Sequence, residues 1–374
     1  MNNIEEPSRR KRNLGHSDDF NYANNYELIT LLVKDERALN SNDKSFILDC
    51  YKEYGREVIE KIVVENQITP FAAHIFCYLD CDKSYWQSIH DKFVIKNEGI
   101  KSLIDEVFLG FKNHNCSSIT LTENFAVVLS SGSCIGCFCS GDVDLSADIA
   151  ELEQIKECLN SMGFFSKDQP KSIGEYSGQS MQFYNDTALG NGFWINVIWK
   201  PVTRAFLVQD EYEKRLKEDR KNAILIPNTN IRVLDDNSLM YFCALHISAG
   251  HYFTMTPGIR LHIDIDRLAR RKNIDWKKLA IWEREDNAGV RISTTLYLSS
   301  KILNSPIPEE SFSRSFKNIR NRLLVKYLIN EKTNKIQQKS SLIRRLYIEL
   351  ASDDRNLLIN ALYRFLNLLS EKFK

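Results

Sequence analysis

The feature that most constrains this chain is a change of hydrophobic period near residue 119. Before it, Ile100, Leu103, Ile104, Val107, Phe108 and Phe111 recur at three- and four-residue steps, which places them on one face of a helix. After it, "DVDLSAD" (142–148) alternates, the two-residue period of a strand, so Asp142 and Asp144 project from the same face. A chain that switches in this way has to build a sheet and bury one side of it under helices.

The helical period fills the first third, in "YELITLLVKD", "DKSFILDCYKEYGREVIEKIVVEN", "PFAAHIFCYL" with Pro70 at a helix start, and "WQSIHDKFVIKNEGIKSLIDEVFLGF". In the middle, "NFAVVLSSG" is expected to be a short β-branched strand ending in Ser-Ser-Gly. "ADIAELEQIKECLNSMGF" follows as a helix, with Ile149, Leu152, Ile155, Leu159 and Met162 inward and Gly163 closing it. "GQSMQFYND" and "GFWINVIWKP" are two further strands, the second stopped by Pro201. Helical spacing resumes at Asp235, with breaks at Pro257, Gly258 and Asn273 to Asp275. We therefore read the chain as α+β: a polar tail at 1–19, a helical region at 20–118, a small mixed-sheet domain at 119–200, and a C-terminal helical region at 201–374.

Charge argues against a global attraction to nucleic acid or anionic lipid, since 50 Lys and Arg stand against 49 Asp and Glu. No apolar run approaches the roughly 18 residues a membrane span needs, and the N-terminus lacks the apolar core of a signal peptide. A cytoplasmic protein with no membrane partner is expected. The basic run Arg9-Arg10-Lys11-Arg12 reads as part of a solvated tail. Nine cysteines, most of them in apolar stretches, read as small buried hydrophobes without structural disulfides.

The stretch "LSSGSCIGCFCSGDVDLSADI" (129–149) concentrates the chemistry. Its Cys134, Cys137 and Cys139 have CxxCxC spacing, but no second CxxC or HxxxH lies at a suitable distance to complete a four-ligand zinc site, so they read as fillers of a turn. A P-loop needs a Lys after its second Gly, and Gly136 is followed by Cys137. HExxH and GxSxG are absent. Gly132, without a Cβ, lets the backbone approach a phosphate, and Ser133 can donate to a phosphate oxygen. Asp142 and Asp144, paired on one strand face, suit hard cations such as Mg²⁺ or Mn²⁺.

The hydrophobic Gly-Ser followed by Asp-x-Asp resembles the nucleotidyltransferase fold of the DNA polymerase β superfamily. More closely, "GDVDLSADIAELEQIKECLNSMGF" is similar to the "GDIDLLV…L…LGY" segment of an uncharacterised bacterial nucleotidyltransferase family, and the likeness extends over roughly residues 45–310 through "ITPFAAHIFCYL", "WINVIWKPV" and "LMYFCALHISAGHYF". The resemblance implies that Asp142 and Asp144 bind catalytic Mg²⁺ and that Gly132 and Ser133 face the triphosphate of an NTP, ATP among the candidates. It implies attack on the α-phosphate, with pyrophosphate leaving.

The sequence departs from that pattern in three places. The superfamily's third carboxylate, on a later strand, falls on Asn196, which can neither act as a base nor add charge to a metal. Ser131 stands where a Lys commonly precedes the Gly, and "CFCSG" replaces a common Arg. Two readings follow: an enzyme whose acceptor is already ionised, such as a phosphate or carboxylate, or a catalytically degenerate nucleotide-binding or scaffold module. The enzyme is the preferred reading, with a small metabolite, a peptide or tRNA as acceptor. Lys200, Arg260 and Arg267 are expected to form a positive wall near the triphosphate, by fold analogy. His246, His251 and His262 are expected to serve helical packing, because His246 and His251 lie about 140° apart round a helix. Residues 311–374 carry 14 Lys and Arg against 5 Asp and Glu, and read as basic amphipathic helices.

Overall fold

The computed structural model describes residues 22–138, 141–166, 180–199, 209–250, 259–316, 329–330 and 335–336. Four helices come first: α1 (Tyr22–Leu32), α2 (Ser41–Glu65), α3 (Thr69–Tyr78) and α4 (Lys83–Asn113). Their starts follow from local chemistry. Asn40 and Asp43 satisfy each other's backbone N–H in a capping box at α2, and Pro70 occupies the first turn of α3, where its missing N–H costs nothing. No described helix is long and apolar enough to cross a membrane.

One mixed sheet follows, built from β1 (Thr120–Thr122), β2 (Asp142–Ser146), β3 (Phe165–Ser166), β4 (Ser180–Asn185), β5 (Phe193–Ile198), β6 (Ile224–Leu225) and β7 (Arg232–Val233). The strands lie in the order β3-β4-β5-β2-β1-β7-β6, so the sheet draws its last two strands from beyond residue 200. β2 runs parallel to β5 and β1 parallel to β7, while the other neighbours are antiparallel. Val143, Leu145, Phe183, Ile195 and Val197 turn into the core. Asp142, Asp144, Trp194 and Asn196 stand half-buried on the opposite face, as period-two alternation requires.

One expected element is different. "NFAVVLSSG" lies in a helix, α5 (Glu123–Ser131), rather than a strand. Phe125, Ala126, Val127 and Val128 are all buried, because α5 is wedged among β1, β2, α8 (Asp236–Leu245) and α9 (Arg260–Arg270). A helix covered on several sides shows no apolar stripe, so a short β-branched run of this kind is indistinguishable by period from a strand. The expected helix after β2 is present as α6 (Leu152–Ser161), and α7 (Gln209–Lys221), α10 (Trp276–Glu285) and α11 (Gly289–Leu303) complete the helical cover.

The buried side chains fall into two clusters. One runs from Ile100 on α4 through the sheet to α8 and α9. The other joins α1, α2, α3 and the start of α4 to Ile263 on α9 and to Cys137 in the turn after α5. That turn and α9 thus sit where the N-terminal helices meet the sheet. The basic N-terminal run, Cys139, Lys200, His251 and all of 317–374 except 329–330 and 335–336 lie outside the described residues.

Candidate active site

The register around β2 fixes the first group. Asp144 pairs with Asn196 of β5 on one side and Thr122 of β1 on the other, and Asp142 pairs with Trp194. Asn196 Nδ2 donates to Asp144 Oδ1 at 2.7 Å, and Thr122 Oγ1 donates to the Asp144 carbonyl at 3.0 Å. Asp144 is therefore oriented from both flanks. Beyond Trp194 lies Tyr184 of β4, with ring centroids 4.5 Å apart.

A residue that the sequence pattern hides joins this group. β1 passes directly into α5 at Glu123, which is 4% exposed and holds φ 59°. The left-handed conformation costs a non-glycine residue about 1–2 kcal/mol, and strain of this kind collects at functional sites. Glu123 Oε1 lies 2.8 Å from His246 Nδ1, and His246 begins the π-helical turn that follows α8, a feature frequent at such sites. His246 is thus part of the acidic cluster and not merely a packing residue behind the sheet.

The electrostatics record the crowding. Burial, followed by the charges of Glu123 and Asp142, raises Asp144 well above the usual carboxylate range, against His246 and the Asn196 amide. Burial opposes the charge on His246, but Glu123, Asp144 and Asp264 outweigh it and raise this imidazole to about 9. Asp264 on α9 is pushed up to about 7 by burial and by Glu123, against Arg267 and Arg260. Asn196 Oδ1 is buried with no hydrogen-bond partner among the described residues. Glu123, Asp142 and the unpartnered Asn196 amide oxygen around Asp144 are hard-oxygen donors of the kind Mg²⁺ selects; among the described residues the carboxylates do not already draw into one compact ligand group, so a divalent ion would have to gather them.

The second group is mixed in charge with a basic excess. Gly132 ends α5 at φ 62°, a C-terminal cap in the left-handed region that glycine adopts most cheaply. Ser133 and Ser131 share a hydroxyl–hydroxyl bond of 2.6 Å, and Ser131 Oγ also lies 3.1 Å from the Val128 carbonyl. The Gly-Ser pair therefore closes a helix instead of following a strand, and the Ser131 hydroxyl is engaged locally. Gly132 and Ser133 line a cavity of about 80 Å³ with the bases Lys34, Arg37 and Arg267, the acids Asp35 and Glu36, and His74; Arg37 is paired with Asp35. A smaller hollow lined by Asn124, Arg260 and Asp264 shares Phe71, Cys137 and Arg267 with it. Arg260 and Arg267 thus stand together, between this cavity and the acidic group.

His262 is structural. It is buried on α9 with Nδ1 2.8 Å from Ser299 Oγ, and burial lowers it to about 4. The eight described cysteines are free, but Cys134 is not a mere filler of the turn: His74 of α3 and His90 of α4 converge on it. Sequence reasoning missed Glu123, and the signal was a lone acid in the apolar run "TLTENFAVV". It missed the His74–His90–Cys134 group because those residues are distant along the chain.

A family model described as an uncharacterised nucleotidyltransferase matches residues 61–304, more than half of the chain. No curated protein and no solved structure matches it.

Proposed function

The chain belongs to this uncharacterised nucleotidyltransferase family, and we propose that it moves an NMP group from an NTP to an acceptor in a reaction dependent on Mg²⁺ or Mn²⁺. One observation carries the reading. Burial, with the neighbouring charges of Glu123 and Asp142 added to it, raises Asp144 well above the usual carboxylate range, an arrangement that a bound cation relieves. Asp142, Asp144 and Glu123 would hold the ion, with Asn196 contributing its free amide oxygen and fixing the Asp144 carboxylate through its Nδ2. Such an ion supplies positive charge to the α-phosphate and to the departing pyrophosphate. Glu123 takes the place of the carboxylate that Asn196 lacks.

The remaining residues position the substrates. Arg260 and Arg267 offer fixed positive charge to the phosphates, and the cavity with Lys34, Arg37, Gly132 and Ser133 takes a further anionic group. Trp194, beside Asp142 in the register, offers a ring for the nucleobase. A neutral acceptor hydroxyl would give its proton to Asp264, whose value near 7 suits a general base. A phosphate or carboxylate acceptor needs no base. The acceptor is a small metabolite, a peptide or an RNA such as tRNA.

The test is incubation with NTPs labelled at the α- or γ-phosphate, Mg²⁺ or Mn²⁺, and fractions of metabolites, peptides and tRNA. Label from the α-position alone should transfer, and Asp142→Asn and Asp144→Asn should each abolish it. Transfer of γ-label, or no transfer together with no nucleotide-induced rise in Tm, would overturn the proposal. The amide at Asn196 favours a second reading, a nucleotide-binding module without catalysis. A nucleotide-induced rise in Tm without transfer to any fraction would mark it.

A further inference from the structure

Away from the acidic group, three ligand-type atoms, one each from His74, His90 and Cys134, lie within 4.8 Å of one another. They come from α3, α4 and the turn after α5. His90 Nε2 is 3.1 Å from Cys134 Sγ, and the two imidazole rings have centroids 5.3 Å apart. Cys137, buried in the same turn three residues on, lies outside this three-atom group, so its sulfur would have to swing in to complete a fourth ligand. The turn is built for this approach. A Cβ at Gly136 would stand 2.7 Å from His90 Nε2 and 2.9 Å from Val94 Cγ2, so only glycine lets the backbone between the two cysteines come so near. Glu36 Oε2 lies 3.2 Å from His74 Nε2, the carboxylate-to-imidazole bond that commonly backs a metal-bound histidine.

We propose that His74, His90, Cys134 and Cys137 form a tetrahedral Zn²⁺ site that ties α3 and α4 to the turn between α5 and β2. Two imidazoles and two thiolates are a donor set that zinc selects. With zinc bonds of about 2.0–2.1 Å to nitrogen and 2.3 Å to sulfur, a tetrahedral N···S edge is about 3.5 Å. The observed 3.1 Å contact has to open only slightly. Glu36 holds Nε2 of His74, which leaves Nδ1 to ligate. The ion would be structural: it fixes the N-terminal helices against the turn whose Gly132, Ser133, Cys134 and Cys137 border the mixed-charge cavity. The site is separate from the acidic group and stands whether or not nucleotidyl transfer is confirmed.

The experiment is metal analysis of the full chain, purified without chelator from zinc-supplemented cells. About one zinc per chain is expected. Asp142→Asn should retain it. His90→Gln and Cys134→Ser, shown to be folded by circular dichroism, should each lose most of it. Iodoacetamide should label Cys134 and Cys137 slowly in the purified protein and at least tenfold faster after chelation. Cobalt exchanged into the chain should show the intense visible bands of tetrahedral thiolate coordination. Absence of stoichiometric zinc, full zinc in a folded Cys134→Ser protein, alkylation that chelation does not change, or a Cys134–Cys137 disulfide in protein kept reduced would each overturn the proposal.

Discussion

Replacing Asn196 with Asp tests the geometry of the acidic group directly. In the folded chain Asn196 Nδ2 donates to Asp144 Oδ1 at 2.7 Å, so Asn196→Asp sets two carboxylates against each other. If both stay ionised and relax to about 4 Å, the repulsion at an effective dielectric near 20 is about 4 kcal/mol. If one takes up a proton at pH 7, holding it against an unfolded pKa of about 3.9 costs about 1.36 kcal/mol per unit, again about 4 kcal/mol. With Asp144 ionised in the parent, the two routes agree on a deficit of about 4 kcal/mol for the metal-free variant at pH 7; since Asp144 is raised, any proton it already holds there makes this an upper bound. The carboxylate added by the substitution has a folded pKa above its unfolded value. The stability of the variant is therefore greatest at low pH and is lost as pH rises through the folded value. By the protonation route the deficit shrinks to about 1.5 kcal/mol at pH 5. Mg²⁺ should recover part of it at pH 7, because the ion binds the folded form. Urea unfolding at pH 5 and pH 7, in EDTA and in Mg²⁺, measures all of this. A variant as stable as the parent at pH 7 in EDTA, or a deficit equal at both pH values, would refute the contact between Asn196 and an ionised Asp144.

Three further outcomes follow from neighbouring contacts. Glu123→Gln removes the partner that holds His246 at about 9; the His246 midpoint, followed by NMR, should fall by more than one unit, and Mg²⁺ should no longer raise Tm. In the parent this pair stabilises below the unfolded histidine pKa and is lost as pH rises through about 9, a loss the variant should not show. If Asp264 is the base, the transfer rate should rise with pH and level off above about 7, and Asp264→Asn should lower kcat by about 10²–10⁴ with little change in KM for the NTP. Arg215 packs over Tyr212, Tyr241 and Trp282 and pairs with Asp286, which is fully buried; Arg215→Ala leaves that carboxylate without its cation and should cost about 3–5 kcal/mol in urea unfolding.

The legible parts of the fold were those with one buried face. α4 and α6 show their apolar steps because their other face meets water, and β2 and β5 alternate because one side of the sheet is core and the other is the site. α5 was illegible for the opposite reason, being covered by strands and helices together. That error carried Glu123 with it, since a residue assigned to the approach of a strand gives no hint that it turns into the acidic group. Asn196 was legible as a departure, and the register makes it the neighbour of Asp144. The link between His246 and Glu123 was not, because it joins residues 246 and 123 through the packing of α8 and α5.

The same physics explains why the two clusters of polar side chains differ in kind. The acidic group gathers oxygens on and beside a half-buried sheet face, where like charges are costly unless a cation compensates them. The His74–His90–Cys134 group gathers nitrogen and sulfur where two apolar clusters meet, on elements already joined by apolar packing and by Asn97 donating to the Ile135 and Phe138 carbonyls. Hard oxygen donors select Mg²⁺ or Mn²⁺, and imidazole with thiolate selects Zn²⁺. Lys34 and Arg37 precede the family-matched segment, whereas Asp142, Asp144, Glu123, Arg260 and Arg267 lie within it. The acids and arginines proposed for the transfer itself thus fall inside the matched segment, as do the elements of the proposed zinc site, while the cavity bordering Gly132 and Ser133 is completed from outside it by the connection between α1 and α2.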